Sequence, residues 1–258
     1  MGNKMKLWFA MFGVLSAVTA FAGWESEKIE RELETNAGES LRVSNTNGGI
    51  EVTGWDQGHI ELVATKEAKS GNGYSAREKL DHIEVRIQKE GNGWEIATHY
   101  DRDWMRSRKM NNTRVHYSLK VPHELLLDLE TTNGQIDVTN YSGSLKLEST
   151  NGDVVGREIR GHLSARTTNG SVRVELLEYD GQELSCKTTN GNVDLSLPPD
   201  ARAEVSARTT NGSIKSDLPL QISGSFSRTK LSGTLNGGGQ EIDLRTTNGS
   251  IRISESRY

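Results

Sequence analysis

Cysteine is almost missing from this chain of 258 residues: Cys186 stands alone, so no disulfide can form within it even where the compartment is oxidising. Aromatic residues make up 6% and all hydrophobic residues 33%, too little for one large globular core. An excess of positive charge is also missing. The formal net charge is −4, which argues against a nucleic-acid partner. Beyond the first twenty or so residues there is no apolar run long enough for a transmembrane helix, which needs about 20 residues. Stability therefore has to come from many short elements. The 27 glycines fit that picture, as turns punctuating short strands.

The one apolar run has the form of a leader. Lys4 and Lys6 precede a stretch from Leu7 through Val18, and Ala20-Phe21-Ala22 follows, which reads as a secretory signal peptide over 1–22 with the mature chain at 23–258. The run is too short for a membrane anchor, and no cysteine follows it to accept a lipid. Removing Lys4 and Lys6 shifts the balance from 31 cations against 35 anions to 29 against 35, or −6. The expected product is exported, periplasmic or extracellular, with no transmembrane segment.

What is abundant is one phrase. It occurs as Asn45-Thr-Asn-Gly, Thr131-Thr-Asn-Gly, Ser149-Thr-Asn-Gly, Thr167-Thr-Asn-Gly, Thr188-Thr-Asn-Gly, Thr209-Thr-Asn-Gly and Thr246-Thr-Asn-Gly. The central asparagines are Asn47, Asn133, Asn151, Asn169, Asn190, Asn211 and Asn248. Their spacings are 86, 18, 18, 21, 21 and 37, and periods near twenty indicate stacked structural units.

Numbered from each Asn, positions −6 and −4 are apolar, from Leu41 and Val43 to Ile242 and Leu244, and position +3 is Ile or Val in every copy. A half-buried strand thus precedes each Asn-Gly step and another follows it. The inward parity switches from even to odd offsets across the step, as a two-residue corner requires. Asn and Gly tolerate positive φ and suit such a corner. Successive antiparallel hairpins would use the same phrase. Identical phrases in identical phase instead favour equivalent strands stacking on one another about 4.8 Å apart.

Stacking assigns roles. Position −1, always Thr, faces out, whereas position −2 faces in with a hydroxyl or amide able to bond to the next unit. Position −3 faces out and reads Ser44, Glu130, Glu148, Arg166, Lys187, Arg208, Arg245 in chain order, passing from acidic to basic. Neighbouring like charges repel, and an anionic ligand would relieve them, although the mixed signs of Arg173, Asp194, Lys215 and Arg252 at +4 offer another source of relief.

The region 23–124 is less regular. Alternation places a strand at 59–63, a short helix over 75–80, a hairpin of 82–87 with 94–97 around Gly91-Asn92-Gly93, and a returning strand at 115–121. These form an irregular N-terminal capping region before the regular repeats of 125–258. Within it, Arg102, Trp104, Arg106 and Arg108 make a cluster suited to gripping a glycan, a lipid headgroup or a protein.

Catalytic signals are weak. The six histidines lack metal-ligand spacing, no metal or cofactor is expected, and Cys186 occupies an inward −4 position as a small buried hydrophobe. The Gly237-Gly238-Gly239 run reads as a bend in an irregular unit.

Together the leader, Leu41-Arg-Val-Ser-Asn-Thr-Asn-Gly-Gly-Ile-Glu-Val52, Val121-Pro122 before Leu127-Asp-Leu-Glu-Thr-Thr-Asn-Gly-Gln-Ile136, and the later copies resemble the bacterial adhesin-like domain family, otherwise of unknown function. The resemblance implies an exported β-strand-repeat or β-helical domain and brings no catalytic residues. The expected fold is all-β, an elongated parallel β-solenoid (β-helix-like) of Thr-Thr-Asn-Gly repeats. The expected function is non-enzymatic binding or scaffolding in the cell envelope, with an envelope glycan or envelope protein as partner. An enzyme acting on polysaccharide and a periplasmic partner in envelope signalling are the alternatives.

Overall fold

The structure, a computed structural model, describes residues 18–21, 23–106, 110–222 and 227–256. The chain opens with β1 (Val18–Phe21), β2 (Trp24–Glu34), β3 (Ser40–Asn47), β4 (Ile50–Trp55) and β5 (His59–Lys69). Helix α1 (Ala76–Asp81) leads to β6 (Ile83–Lys89) and β7 (Gly93–Tyr100), and helix α2 (Arg102–Arg106) leads to β8 (Thr113–Pro122). Paired strands follow: β9 (Leu126–Asn133) and β10 (Ile136–Ser142), β11 (Ser144–Asn151) and β12 (Val154–Arg160), β13 (Leu163–Asn169) and β14 (Val172–Leu176), β15 (Leu184–Asn190) and β16 (Val193–Leu197). The last elements are β17 (Ala203–Arg208), β18 (Ile214–Ser216), β19 (Gln221–Ile222), β20 (Lys230–Leu235), β21 (Glu241–Arg245) and β22 (Ile251–Glu255).

These strands make two 11-stranded sheets, mostly parallel, and they close no barrel. Sheet 1 runs β1-β2-β5-β8-β4-β10-β12-β14-β16-β22-β18, and sheet 2 runs β19-β20-β17-β21-β15-β13-β11-β9-β3-β7-β6. Each of the seven Thr-Asn-Gly steps carries the chain from sheet 2 to sheet 1, so the strands flanking it do not pair as a hairpin. They pair instead with their equivalents, as in Leu145↔Leu163 and Ile136↔Val154. The parity reading holds on both sides of the step. Leu41, Leu129, Leu147 and Leu244 are fully buried from sheet 2, and Ile50, Ile136, Val172 and Val193 from sheet 1, all in one continuous core. Each such side chain contributes about 1.5–3 kcal/mol by leaving water.

Stacking the strands stacks the phrase. Amide side chains bond in an unbroken ladder, Asn133 to Asn47, Asn151 to Asn133, Asn169 to Asn151, Asn190 to Asn169, Asn248 to Asn190 and Asn211 to Asn248, at 2.8–2.9 Å. Inside the corner, each −2 hydroxyl donates to the glycine carbonyl of the preceding rung: Ser149 to Gly134, Thr167 to Gly152, Thr188 to Gly170 and Thr246 to Gly191. Buried carbonyls are thereby satisfied once per rung.

Two expectations need correction. The rungs do not follow chain order to the end. The Asn248 strands β21 and β22 insert between the Asn190 and Asn211 strands, so the chain lays down the terminal rung before the penultimate one. The interval between them holds the antiparallel β19 and β20, which edge sheet 2. Positive φ is also not what the corner asks of its asparagines, none of which adopts it. Its glycines do adopt it in five of the seven copies, from +116° at Gly48 to +158° at Gly170, and crowding adds to the requirement: a Cβ on Gly170 would lie 2.2 Å from the Gly152 carbonyl oxygen, and one on Gly191 2.0 Å from that of Gly170.

At the other end β8, β5 and β2 extend sheet 1 beyond β4, and β7 and β6 extend sheet 2 beyond β3. The hairpin β6–β7 and the helix α1 form where the sequence places them. Ser75 caps α1, its hydroxyl accepting from the Glu78 N–H while the Glu78 carboxylate accepts from the Ser75 N–H.

Candidate functional site

Outward positions −5, −3 and −1 of sheet 2 form three parallel columns on one face. The −3 column reads, in spatial order, Ser44, Glu130, Glu148, Arg166, Lys187, Arg245, Arg208. Lys187 thus faces Arg245, not Arg208, and the four cations form one uninterrupted run. The −5 column beside them is Ser164, Ser185, Asp243 and Ser206, and the −1 column is Thr168, Thr189, Thr247 and Thr210.

The two halves of this face are balanced differently. In the acidic half, Arg42 lies 3.6 Å from Glu130, and Lys146 lies 3.2 Å from Asp128 and 3.8 Å from Glu148. In the basic half, Asp243 serves both Lys187 at 2.9 Å and Arg245 at 2.7 Å. Arg166 and Arg208 have no ion-pair partner among the described residues. The +4 residues provide no relief here because they belong to sheet 1, where Arg173 pairs with Asp153 and Arg252 with Asp217. Within these three columns four cations stand against one carboxylate, with Ser and Thr hydroxyls beside them; Lys230 of β20 lies next to Arg208, and the Glu204 and Glu241 carboxylates border the same face at position −7, so the positive potential is centred on the −3 column.

The 101–106 segment is not a bare loop. The Asp101 carboxylate accepts from the backbone N–H groups of Asp103 and Trp104, and those bonds hold it below its ordinary pKa, the Trp104 bond foremost. Trp104 is half-buried on α2, its ring stacked on His82 at 3.7 Å and tilted against Tyr74 at 4.9 Å. Arg102 is exposed, while the Arg106 side chain and the whole of Arg108 lie outside the described residues. Packing thus accounts for the tryptophan.

An open cleft of about 700 Å³ lies where the first copy meets β8, lined by Asn47, Gly49, Glu51, Arg114, His116 and Asp137 among others. His116 Nδ1 accepts the Gly49 N–H at 3.2 Å, and its Nε2 lies 3.8 Å from Glu67. Burial, and then the Arg114 charge, push its pKa below the ordinary value. Nδ1 is thus engaged within the protein, and the residue fixes the corner.

Cys186 is fully buried and burial pushes its thiol pKa up to about 12, which removes it as a nucleophile. One cluster escapes sequence reasoning. Glu32, His59 and Glu61 bring ligand atoms within 4.8 Å of one another through the β2–β5 register, which no local spacing reveals. Lys120 lies 3.0 Å from Glu61 and relieves the repulsion there. No helix among the described residues is long and apolar enough to cross a membrane.

Comparison with known proteins bears on the fold. The Toastrack DUF4097 family model matches residues 2–254. No curated protein matches the sequence. Among solved structures, the chain is similar to a candidate cell adhesion protein from Clostridium sporogenes at 11% identity and a TM-score of 0.50, over 89% of this chain and 99% of that one. A candidate adhesin from Bacteroides fragilis aligns at 12% identity and a TM-score of 0.34, and a candidate lipid binding protein from Parabacteroides distasonis at 13% and 0.35, each over 88% of this chain and 96% of its own. At these identities a likeness speaks to fold alone, and of the three the first has a TM-score high enough to do so.

Proposed function

The chain belongs to the Toastrack DUF4097 family, and on that premise we propose that it is an exported, non-enzymatic binding module of the bacterial envelope that holds an anionic glycan on the basic face of sheet 2. In this reading the seven Asn-Gly copies are rungs of a parallel β-solenoid forming the single domain 23–258, and 1–22 is removed on export. Removal would take away β1 and leave the outer edge of Trp24–Glu27 unpaired.

The observation that carries the reading is the in-register run Arg166–Lys187–Arg245–Arg208 with Asp243 as its one carboxylate partner among the described residues. Like charges about 4.8 Å apart on adjacent strands cost stability. A linear polyanion lying along the stack would neutralise them while the Thr168, Thr189, Thr247 and Thr210 hydroxyls bond to its sugar oxygens. Arg166 and Arg208, which have no carboxylate beside them among the described residues, are the residues with charge to spare, and Lys230 of β20 extends the run beyond Arg208.

The test is titration of the purified chain with isolated envelope glycans, alongside an Arg166→Glu/Arg208→Glu variant of unchanged circular dichroism. Binding that weakens with salt and is lost in the variant supports the site. Equal binding by both chains sinks it and turns attention to an envelope protein as partner. Sugar released into the supernatant would overturn the non-enzymatic reading.

A further inference from the structure

The pentapeptide Thr-Thr-Asn-Gly-Ser occurs three times, at 167–171, 209–213 and 246–250, in three structural settings. Asn-Gly is the dipeptide most open to spontaneous deamidation because glycine puts no side chain in the way of its own backbone nitrogen. Attack requires that nitrogen to be free of its hydrogen bond and the Asn side chain to rotate onto it. The stack controls both conditions.

The parallel ladder has a direction. Each step's glycine N–H donates to the Asn carbonyl of the next rung: Gly48 to Asn133, Gly134 to Asn151, Gly152 to Asn169, Gly170 to Asn190, Gly191 to Asn248 and Gly249 to Asn211, at 2.8–3.0 Å. Rung seven has no rung eight; on its outer side the Thr229 and Arg228 carbonyls accept from the Thr209 and Ile214 N–H groups, which flank the step and leave it out. The Gly212 N–H therefore has no partner among the described residues. The Asn211 side chain is also held on one side, donating from Nδ2 to Asn248 Oδ1, whereas Asn169 and Asn248 both donate and accept. Asn211 is exposed as well.

We propose that Asn211 is the ladder's modification site, converting spontaneously to aspartate and isoaspartate while the six other steps are protected by the fold. The Gly212 nitrogen, losing its proton to solvent, attacks Asn211 Cγ; a C–N bond forms, the Cγ–Nδ2 bond breaks, and Nδ2 leaves as ammonia after taking up a proton. Water then opens the cyclic imide at either carbonyl. The carboxylate that results sets an acceptor against Asn248 Oδ1 where a donor had been, and the iso form adds a backbone carbon just before β18. The terminal rung is thus where the stack ages. This inference is independent of what the basic face binds.

Cleavage after Arg166, Arg208 and Arg245 gives the peptides 167–173, 209–215 and 246–252, which carry the same Thr-Thr-Asn-Gly-Ser. The full chain is held folded at mildly alkaline pH, digested with trypsin at intervals, and the aspartate and isoaspartate forms of the three peptides are quantified. Conversion in 209–215 should run at least about tenfold faster than in the other two, because theirs waits on local opening. In denaturant the three rates should converge, since the sequences match. Equal rates in the folded chain, or earlier conversion of 246–252, would overturn the proposal. In an Asn211→Ser chain residue 211 still offers its carbonyl to Gly249, so early conversion should vanish without moving to Asn248. A shift to Asn248 would overturn backbone protection as the cause.

Discussion

The regular half of the molecule and its N-terminal end meet the same requirement in opposite ways. Both bury backbone carbonyls against a core and must give them donors. From Leu126 onward one solution repeats, with a −2 hydroxyl on every rung donating to a stacked glycine carbonyl. Toward the N-terminus each carbonyl is met by a different residue. Asn45 occupies the first −2 position and donates to two carbonyls, Gly48 at 3.0 Å and Val115 at 2.8 Å, because beyond its corner lie β7 in sheet 2 and β8 in sheet 1 and not another Asn-Gly copy. Lys79, fully buried, donates to the Lys69 and Asn111 carbonyls and to Asn111 Oδ1 at 2.8–3.1 Å, and Lys66 reaches the Leu80 and Ile83 carbonyls while pairing with Glu27. Repetition lets one small residue serve many sites. An end, which has no next rung, needs long side chains made for each site.

The sharpest way to break this comparison is at the crowded glycines. Gly170→Ala puts a methyl group 2.2 Å from the Gly152 oxygen, at a backbone φ of +158°, and should cost about 3 kcal/mol or more, because two backbones would have to part and the alanine would sit in a glycine conformation. Gly58→Ala, with nothing within 4 Å of the added carbon, should change stability by less than about 0.5 kcal/mol. Urea melts of the two variants measure both. A well-tolerated Gly170→Ala would mean that rung spacing is elastic and that crowding does not explain the phrase.

At the other end, Lys79→Met removes the donor from three acceptors and should cost about 1–3 kcal/mol. The pH dependence identifies the cause. Burial holds the folded pKa of Lys79 below its usual 10.5. Below the folded value both states carry the proton. Between the folded value and the unfolded one, the unfolded chain binds the proton and the folded chain does not, so the wild type gains stability as pH rises through that window. The variant lacks this gain. The difference between the two should therefore widen toward alkaline pH in denaturation midpoints, and a constant difference would assign the loss to packing alone.

How much of this was legible depends on whether a residue's partner lies in the same register. Leu147, Ile136 and Thr188 were readable because stacking repeats a local pattern, so offset from Asn-Gly predicts direction. The order of the last rungs was not, because Arg245 and Arg208 belong to near-identical segments and nothing local says which of them inserts beside Lys187. The Glu32, His59 and Glu61 cluster and the Lys79 contacts were hidden for a related reason, being products of long-range antiparallel register and of single side chains with no repeat to expose them. Trp104 read as a surface residue because its neighbours in sequence are charged, whereas its neighbours in space are His82 and Tyr74.

A smaller effect tests the repeated hydroxyl. Thr188→Val keeps shape and β-branching but leaves the Gly170 carbonyl without its 2.8 Å side-chain donor, so a loss of about 1 kcal/mol is expected. The same change at exposed Thr189 should be nearly neutral, within about 0.5 kcal/mol. Equal costs at the two positions would show that the inward column fills space and does not satisfy carbonyls.

The smallest expected change in stability carries the most information about the basic face. Asp243→Asn removes the carboxylate shared by Lys187 and Arg245, and because the two cations are 40% and 59% exposed the loss should stay below about 1 kcal/mol. If the run serves only as a solvated, aggregation-resistant surface, removing Asp243 raises repulsion and does nothing more. If it holds a polyanion, the same substitution frees two cations in the middle of the run, and affinity should rise while its salt dependence steepens. The two views therefore differ in the sign of an affinity change that stability measurements cannot detect. Isothermal titration with the same glycans at two salt concentrations reads that sign, and unchanged or weakened binding by Asp243→Asn would favour the solvated face.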